Sequence, residues 1–286
     1  MTYRSVKAVH RAQRDDIGSL RTRRALPGPG LRQLDPFLFL NHHGPQHYPP
    51  ANEGLPFGPH PHRGFETVTF ILSGMLAHRD SAGHESVIGQ GGVQWMTAGA
   101  GLVHAELSPA AFIEQGGDLE ILQLWVNLPA RLKRVAPRYV GLQGDAIPTV
   151  RPAQGVAIEA VSGDWFGQTG PFSSSTDVRL GLVRFDAGAT LDVTLPPDYT
   201  VLCHVIDGVI EADGSRAGPA DMIEFHFGAP RLRLRAAERA RVLLGTAQPL
   251  GEPVVSYGPF VMNTREEIEE ALADYRAGRF DTPLPG

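Results

Sequence analysis

Four residues set the chemistry open to this chain. His60 and His62 stand one residue apart in PHPHRGFETVTF (59–70), and His104 and Glu106 repeat that spacing in the later segment HAE (104–106). In an extended segment, residues i and i+2 face the same way. Each pair therefore converges on one point. Two such strands facing each other across a small barrel would bring three imidazoles and one carboxylate together, which makes a metal site. Mixed imidazole and carboxylate donors suit redox-capable first-row ions better than a purely structural zinc, and on an octahedral ion they leave positions open for water, substrate or dioxygen. A single histidine of this kind is ordinarily a core or surface residue. Two pairs at this spacing, each beside turn residues, are poorly explained that way.

The elements that must position these residues are short strands. The segment carrying His60 and His62 is expected to continue as one strand through Thr67-Val-Thr-Phe-Ile-Leu72, rich in β-branched residues, and to stop at Ser73-Gly74. Met75 to Arg79 returns, and Asp80-Ser-Ala-Gly83 reads as a hairpin turn. Val93 to Thr97 is a further strand, and the glycine-rich corner Ala98-Gly-Ala-Gly101 delivers Leu102 to Glu106. Strands punctuated about every eight to twelve residues indicate an antiparallel barrel or jelly roll, whose interior can house a ligand. Phe65, Trp95 and Met96 are candidates to shape an aromatic pocket there, although core packing accounts for each one singly. Upstream, Leu34 to Leu40 reads as a buried strand ending in a turn at Asn41-His42-His43-Gly44-Pro45. Adjacent His42 and His43 would point opposite ways and cannot chelate as a pair.

The pattern changes after Asn127. Pro129 to Arg138 is basic and bounded by prolines, and is expected to be a linker, with a docking patch as the alternative. The expected division is a metal-binding domain over 1–135 and a second domain over 136–286. Strands are expected at Val178 to Asp186, Tyr199 to Ile206, Met222 to Phe227 and Arg231 to Ala236, the last alternating charged and apolar faces. His204, His226 and Cys203 stand there without a partner two residues on, so the second half reads as a duplicated barrel without metal ligands. Thr264-Arg-Glu-Glu267 has the form of a capping box. Ile268, Ala271, Leu272 and Tyr275 follow at helical spacing and Gly278 ends the helix.

Composition narrows the classes. The 33 glycines and 24 prolines favour many turns over long helices, and a lone cysteine excludes an intramolecular disulfide framework. A net charge of -5 argues against general binding to naked nucleic acid. The arginines scattered through the first 35 residues are interleaved with acids and read as a solvated edge. With no apolar run near the ~20 residues that span a bilayer and no apolar leader after Met1, a soluble cytoplasmic protein is expected, without membrane or direct nucleic-acid partners.

The segments PHPHRGFETVTF, QWMTAGAGLVHAE (94–106), LQLWVNLP (122–129) and GPFVMNTREEIE (258–269) resemble the pirin family, a branch of the cupin superfamily. Order and spacing agree from near residue 35 to about 280 and are weakest over 140–245. The resemblance implies an all-β chain of two cupin (jelly-roll β-barrel) domains in tandem, closed by a short C-terminal helix, in which only the first barrel holds metal. It implies the ligand set His60, His62, His104 and Glu106. Glu66 is the runner-up, because most cupins take a ligand at that position. The implied cofactor is one mononuclear divalent metal, Fe(II) first, with Mn, Ni, Cu, Co or Zn as alternatives. The implied activity is that of a quercetin 2,3-dioxygenase, opening a flavonol with O2 and releasing carbon monoxide, with Glu106 accepting the substrate's hydroxyl proton. The alternative is a non-catalytic, iron-dependent regulatory protein that binds a transcription factor or a metabolic enzyme, with Arg131 to Arg138 as its contact surface.

Overall fold

β-Branched and aromatic residues alternating with small or polar ones build strands throughout, and the computed structural model describes residues 2–280. The chain divides into two compact units that are interleaved in sequence. One comprises Asp15–Thr22, His43–Asp145 and the chain from Leu250 on; the other comprises the chain up to Arg14, Arg23–His42 and Ala146–Pro249. The expected division at 135/136 falls near the central boundary and differs at both ends. The N-terminal strand Val6–Arg11 pairs antiparallel with Asp221–Phe225 of the second unit, and the C-terminal helix belongs to the first.

The first unit carries a four-stranded sheet in the order Phe57–His62, Leu102–Leu107, Met75–Asp80, Glu85–Gly89. Four strands of its other sheet run in the order Arg138–Leu142, Val93–Thr97, Phe65–Ser73, Gly117–Asn127. The expected single strand through His62 is thus two strands in two sheets, broken at Arg63-Gly64. The break has a steric cause. Gly64 sits at φ +88°, and a Cβ there would lie 2.0 Å from the Val261 carbonyl oxygen, a conformation and an approach that only glycine supports. The expected turn at Asn41 to Pro45 is instead the middle of one strand, Phe37–Tyr48. Gly44 lets it run on, since a Cβ there would meet the Leu119 carbonyl oxygen at 2.3 Å.

The expected linker is also ordered. A 3-10 turn spans Ala130–Leu132, and Arg138–Leu142 joins a sheet. Lys133 is fully buried, donating to the carbonyls of Gly64 and Val261 and to Asn127 Oδ1 at 2.9, 3.0 and 2.7 Å. Arg134 holds Glu270 in a two-pronged pair at 2.7 and 2.6 Å. A docking surface over 131–138 would therefore have to spare both.

The second unit stacks a seven-stranded sheet, from Val6–Arg11 to Thr149–Ala153, with a four-stranded one that includes Arg231–Ala236. Their facing side chains form one apolar core containing Trp165, Val183, Leu191, Cys203, Ile223 and Leu234. Arg233 and Arg235 lie on the outer face and pair with Asp192 and Glu211. Helix Arg265–Arg276 begins with the expected reciprocal cap between Thr264 and Glu267. No helix among the described residues is long and apolar enough to cross a membrane.

Candidate metal centre

Antiparallel pairing of Phe57–His62 with Leu102–Leu107 puts His104 directly opposite His60, and Leu102 opposite His62. Because alternate residues share a face, His60, His62 and His104 then meet. Their ring centroids are 4.8, 4.4 and 4.9 Å apart, and one nitrogen from each lies within 4.8 Å of the others. Among the described residues this is the cluster of histidine, cysteine and acidic side chains that could hold a metal ion.

The nitrogens fit that use. His60 Nδ1 lies 2.7 Å from the Gly58 carbonyl and His62 Nδ1 lies 3.4 Å from the Pro259 carbonyl, so in both rings Nε2 keeps the lone pair. His104 is 2% exposed, and neither of its ring nitrogens has a hydrogen-bond partner. A buried unpaired nitrogen is costly, and a metal bond to one of the two would remove its share of that cost. Burial, reinforced by the charge His60 would carry, pushes His62 down to about 3, with the Pro259 carbonyl opposing. Burial and the neighbouring imidazoles hold His104 well below the usual histidine range. Both rings are therefore neutral near pH 7, the form that ligates a cation.

Glu106 lies two residues beyond His104 on the same strand and is 1% exposed. It is not among the converging nitrogens. Thr69 Oγ1 and Gln94 Nε2 both donate to its Oε1, the former at 3.1 Å, and Gln123 Nε2 donates to Oε2. Glu66 stands elsewhere, accepting from Thr97 Oγ1 at 2.7 Å. His43 is held by Thr22 Oγ1 at 2.8 Å and packs on Phe57. His42 lies in the second unit beside His204, their centroids 5.6 Å apart. Of the three aromatic-pocket candidates, Phe65 reaches the site, 5.0 Å from His62. Met96 joins a small core with Ala98 and Leu102, and Trp95 is likewise buried.

The sequence does not single out several other residues of the site. Trp125 packs 5.3 Å from His62 and 4.4 Å from Phe65. His78 is buried 5.4 Å from His104, is stacked on Tyr139 at 3.9 Å and 9°, and sits opposite Glu106 in the strand register. His78 and Asp80 have the same i, i+2 spacing as the two candidate ligand pairs, and that spacing is the available signal. The hairpin turn expected over Asp80-Ser-Ala-Gly83 hides it.

Two stacked-sheet barrels, one with three imidazoles converging inside it, define a two-domain cupin. The sequence matches the pirin family over residues 19–126 and the pirin C-terminal cupin domain over 182–281. The chain belongs to the pirin family. It is 37% identical to a pirin-like protein of Caulobacter vibrioides over 96% of this chain and 98% of that protein, and 35% identical to human pirin over 95% and 91%. Its fold superimposes on the crystal structure of a quercetin 2,3-dioxygenase from Acinetobacter baumannii with a TM-score of 0.92 at 31% identity, covering 99% of this chain and all of that one.

Proposed function

We propose that the chain is a metal-dependent oxygenase of the quercetin 2,3-dioxygenase type, acting on a flavonol-like substrate with O2 at one mononuclear site. The observation that carries this is the convergence of three imidazoles, among which buried His104 has both nitrogens unpaired. The Acinetobacter relative, a quercetin 2,3-dioxygenase by name, supplies the substrate class. His60, His62 and His104 would hold the metal through nitrogen and Glu106 would complete the set through oxygen, with Fe(II) the ion best matched to these donors. When bound, such an ion lowers the pKa of a hydroxyl on it and gives dioxygen a redox partner.

The protein's own residues do the rest. Gly58 and Pro259 orient two of the rings through their Nδ1 atoms. Thr69, Gln94 and Gln123 fix the Glu106 carboxylate, and taking up the hydroxyl proton of the substrate there displaces one of these donors. Phe65 and Trp125 give the His62 side an apolar wall against which a flat aromatic ring can lie. The one cysteine, buried and free, suits the reducing cytoplasm as the place of action.

The test is anaerobic reconstitution with Fe(II), addition of quercetin, admission of air, and recording of flavonol absorbance together with carbon monoxide. Metal-dependent turnover that disappears in His62→Ala and Glu106→Ala is the expected result. Stoichiometric iron with no turnover across a flavonol panel would overturn the oxygenase reading in favour of an iron-dependent regulator.

A further inference from the structure

The two sheets of the second unit present their outward arginines differently. On the four-stranded sheet the register sets Arg233 opposite Asp192 and Arg235 opposite Glu211, so each cation faces an anion. On the seven-stranded sheet it sets Arg184 opposite Arg241. Like charges directly opposite each other destabilise a sheet. Glu159 accepts from Nη1 of Arg184 at 2.5 Å, and Asp207 accepts from Nε of Arg241 at 2.6 Å, which matches one acid to each. Arg151 and Arg239 stand exposed beside them in the same groove. Among the described residues neither of these two has an acidic partner.

The groove has a volume of about 1010 Å³, and its charged lining is four arginines against Asp186 and Asp207. It is cationic on a chain whose net charge is -5. Across four neighbouring strands the register aligns Asp207, Arg241, Arg184 and Ala157. Arg151 follows on the edge strand Thr149–Ala153, which pairs with the strand of Ala157. With strands ~4.8 Å apart, the backbones at Arg241 and Arg151 are separated by ~14 Å. Ala157 has no long side chain, so the floor between Arg184 and Arg151 stays low. The form of the groove decides what fits it. Guanidinium forks match carboxylates. A small molecule is normally enclosed over most of its surface, whereas this groove has exposed arginines along it and lies open to solvent. An extended chain rises ~3.4 Å per residue, so its side chains at i, i+2 and i+4 face one way and span ~14 Å.

We propose that this groove docks an extended acidic segment of a partner protein, whose carboxylates at alternate positions reach Arg241, Arg184 and Arg151, with Arg239 beside Arg241. The occupant supplies the anions that the register withholds from the facing arginines. The proposal goes beyond the oxygenase reading and does not rest on it.

The test is fluorescence anisotropy of a labelled, end-blocked peptide in which three Glu alternate with Thr, titrated with the full chain. Its isomer with the three Glu contiguous is the comparison. The double variant Arg151→Gln/Arg239→Gln disturbs no ion pair among the described residues; Arg184→Gln removes one of the facing arginines, and Arg233→Gln, on the other sheet, is the control. Expected is saturable binding of the alternating peptide that weakens with added salt. That binding should be about tenfold weaker in the double variant, also weaker in Arg184→Gln, and unchanged in Arg233→Gln. The contiguous isomer should bind less tightly than the alternating one. No binding of the alternating peptide, or binding unaltered in the double variant, overturns the proposal. Equal affinity for the contiguous isomer overturns the extended register. Tighter, arginine-dependent binding of oligothymidylate or of citrate overturns it in favour of a nucleic acid or a small polycarboxylate. A dimer of the wild-type chain that dissociates in Arg184→Gln overturns it in favour of a second copy.

Discussion

A buried imidazole whose nitrogens have no hydrogen-bond partner, as at His104, is held at a cost that a bound ion would offset in part. Ligand binding stabilises a fold by mass action, by about 2.7 kcal/mol at a hundredfold excess over Kd. A chelator should accordingly lower the melting temperature of the wild-type protein by several degrees, and leave that of His104→Ala unchanged; differential scanning calorimetry with and without chelator decides. His204 makes a different prediction. Burial first, and then His42, hold its pKa well below the usual histidine value, with the Asp221 backbone opposing. The unfolded chain therefore takes up the proton more readily than the folded one. The stability contributed by the neutral ring is complete above pH ~6.5 and is lost as pH falls below it, by up to about 1.4 kcal/mol per pH unit. Urea denaturation of wild type and His204→Leu from pH 7.5 to 5 should give a shallower slope in the variant. His62 and His104 add acid sensitivity of the same sign in both proteins, so the difference isolates His204. The convergence of His60, His62 and His104 was legible in the sequence because a strand's period of two makes spaced pairs convergent. Gln94, Gln123 and Thr69 were not, since a neutral polar residue inside a strand has no chemical meaning until the register sets it against Glu106.

Strands and helix meet beside the candidate metal centre through Arg63. It follows His62 directly, and its guanidinium donates to Asp274 Oδ2 of the C-terminal helix at 2.7 Å and lies 5.4 Å from the Phe280 ring. Both partners of this ion pair are largely buried. Removing one partner of such a pair leaves a charge without compensation and costs about 3 kcal/mol or more. Asp274→Ala should show that loss in denaturant titration and, in equilibrium dialysis, weaker metal retention. An unchanged metal affinity would confine the helix to a packing role. The helix itself was readable from its cap and its apolar spacing. Its attachment to Arg63 was not, because two charges 211 positions apart in sequence leave no local pattern. The same holds for the strand break at Gly64, where the obstacle is the backbone of Val261.

At the scale of the molecule, two barrels and the gathering of three histidines in the first were legible from strand density and from histidine spacing. The exchange of chain ends between the units was not. It depends on Val6–Arg11 finding Asp221–Phe225 and on the chain from Leu250 on returning to the first unit. A chain stopped at Pro249 should therefore lose metal binding although it keeps all four candidate ligands; inductively coupled plasma analysis of the purified fragment would show it. The exchange also sets a timetable. A ribosome extends the chain from the amino end, and Pro259, whose carbonyl orients the His62 ring, is made long after His62 itself. Until residue 259 has been made the nascent first barrel lacks this buttress, so the imidazole stands in the growing chain through nearly two hundred residues of synthesis before the carbonyl that orients it exists.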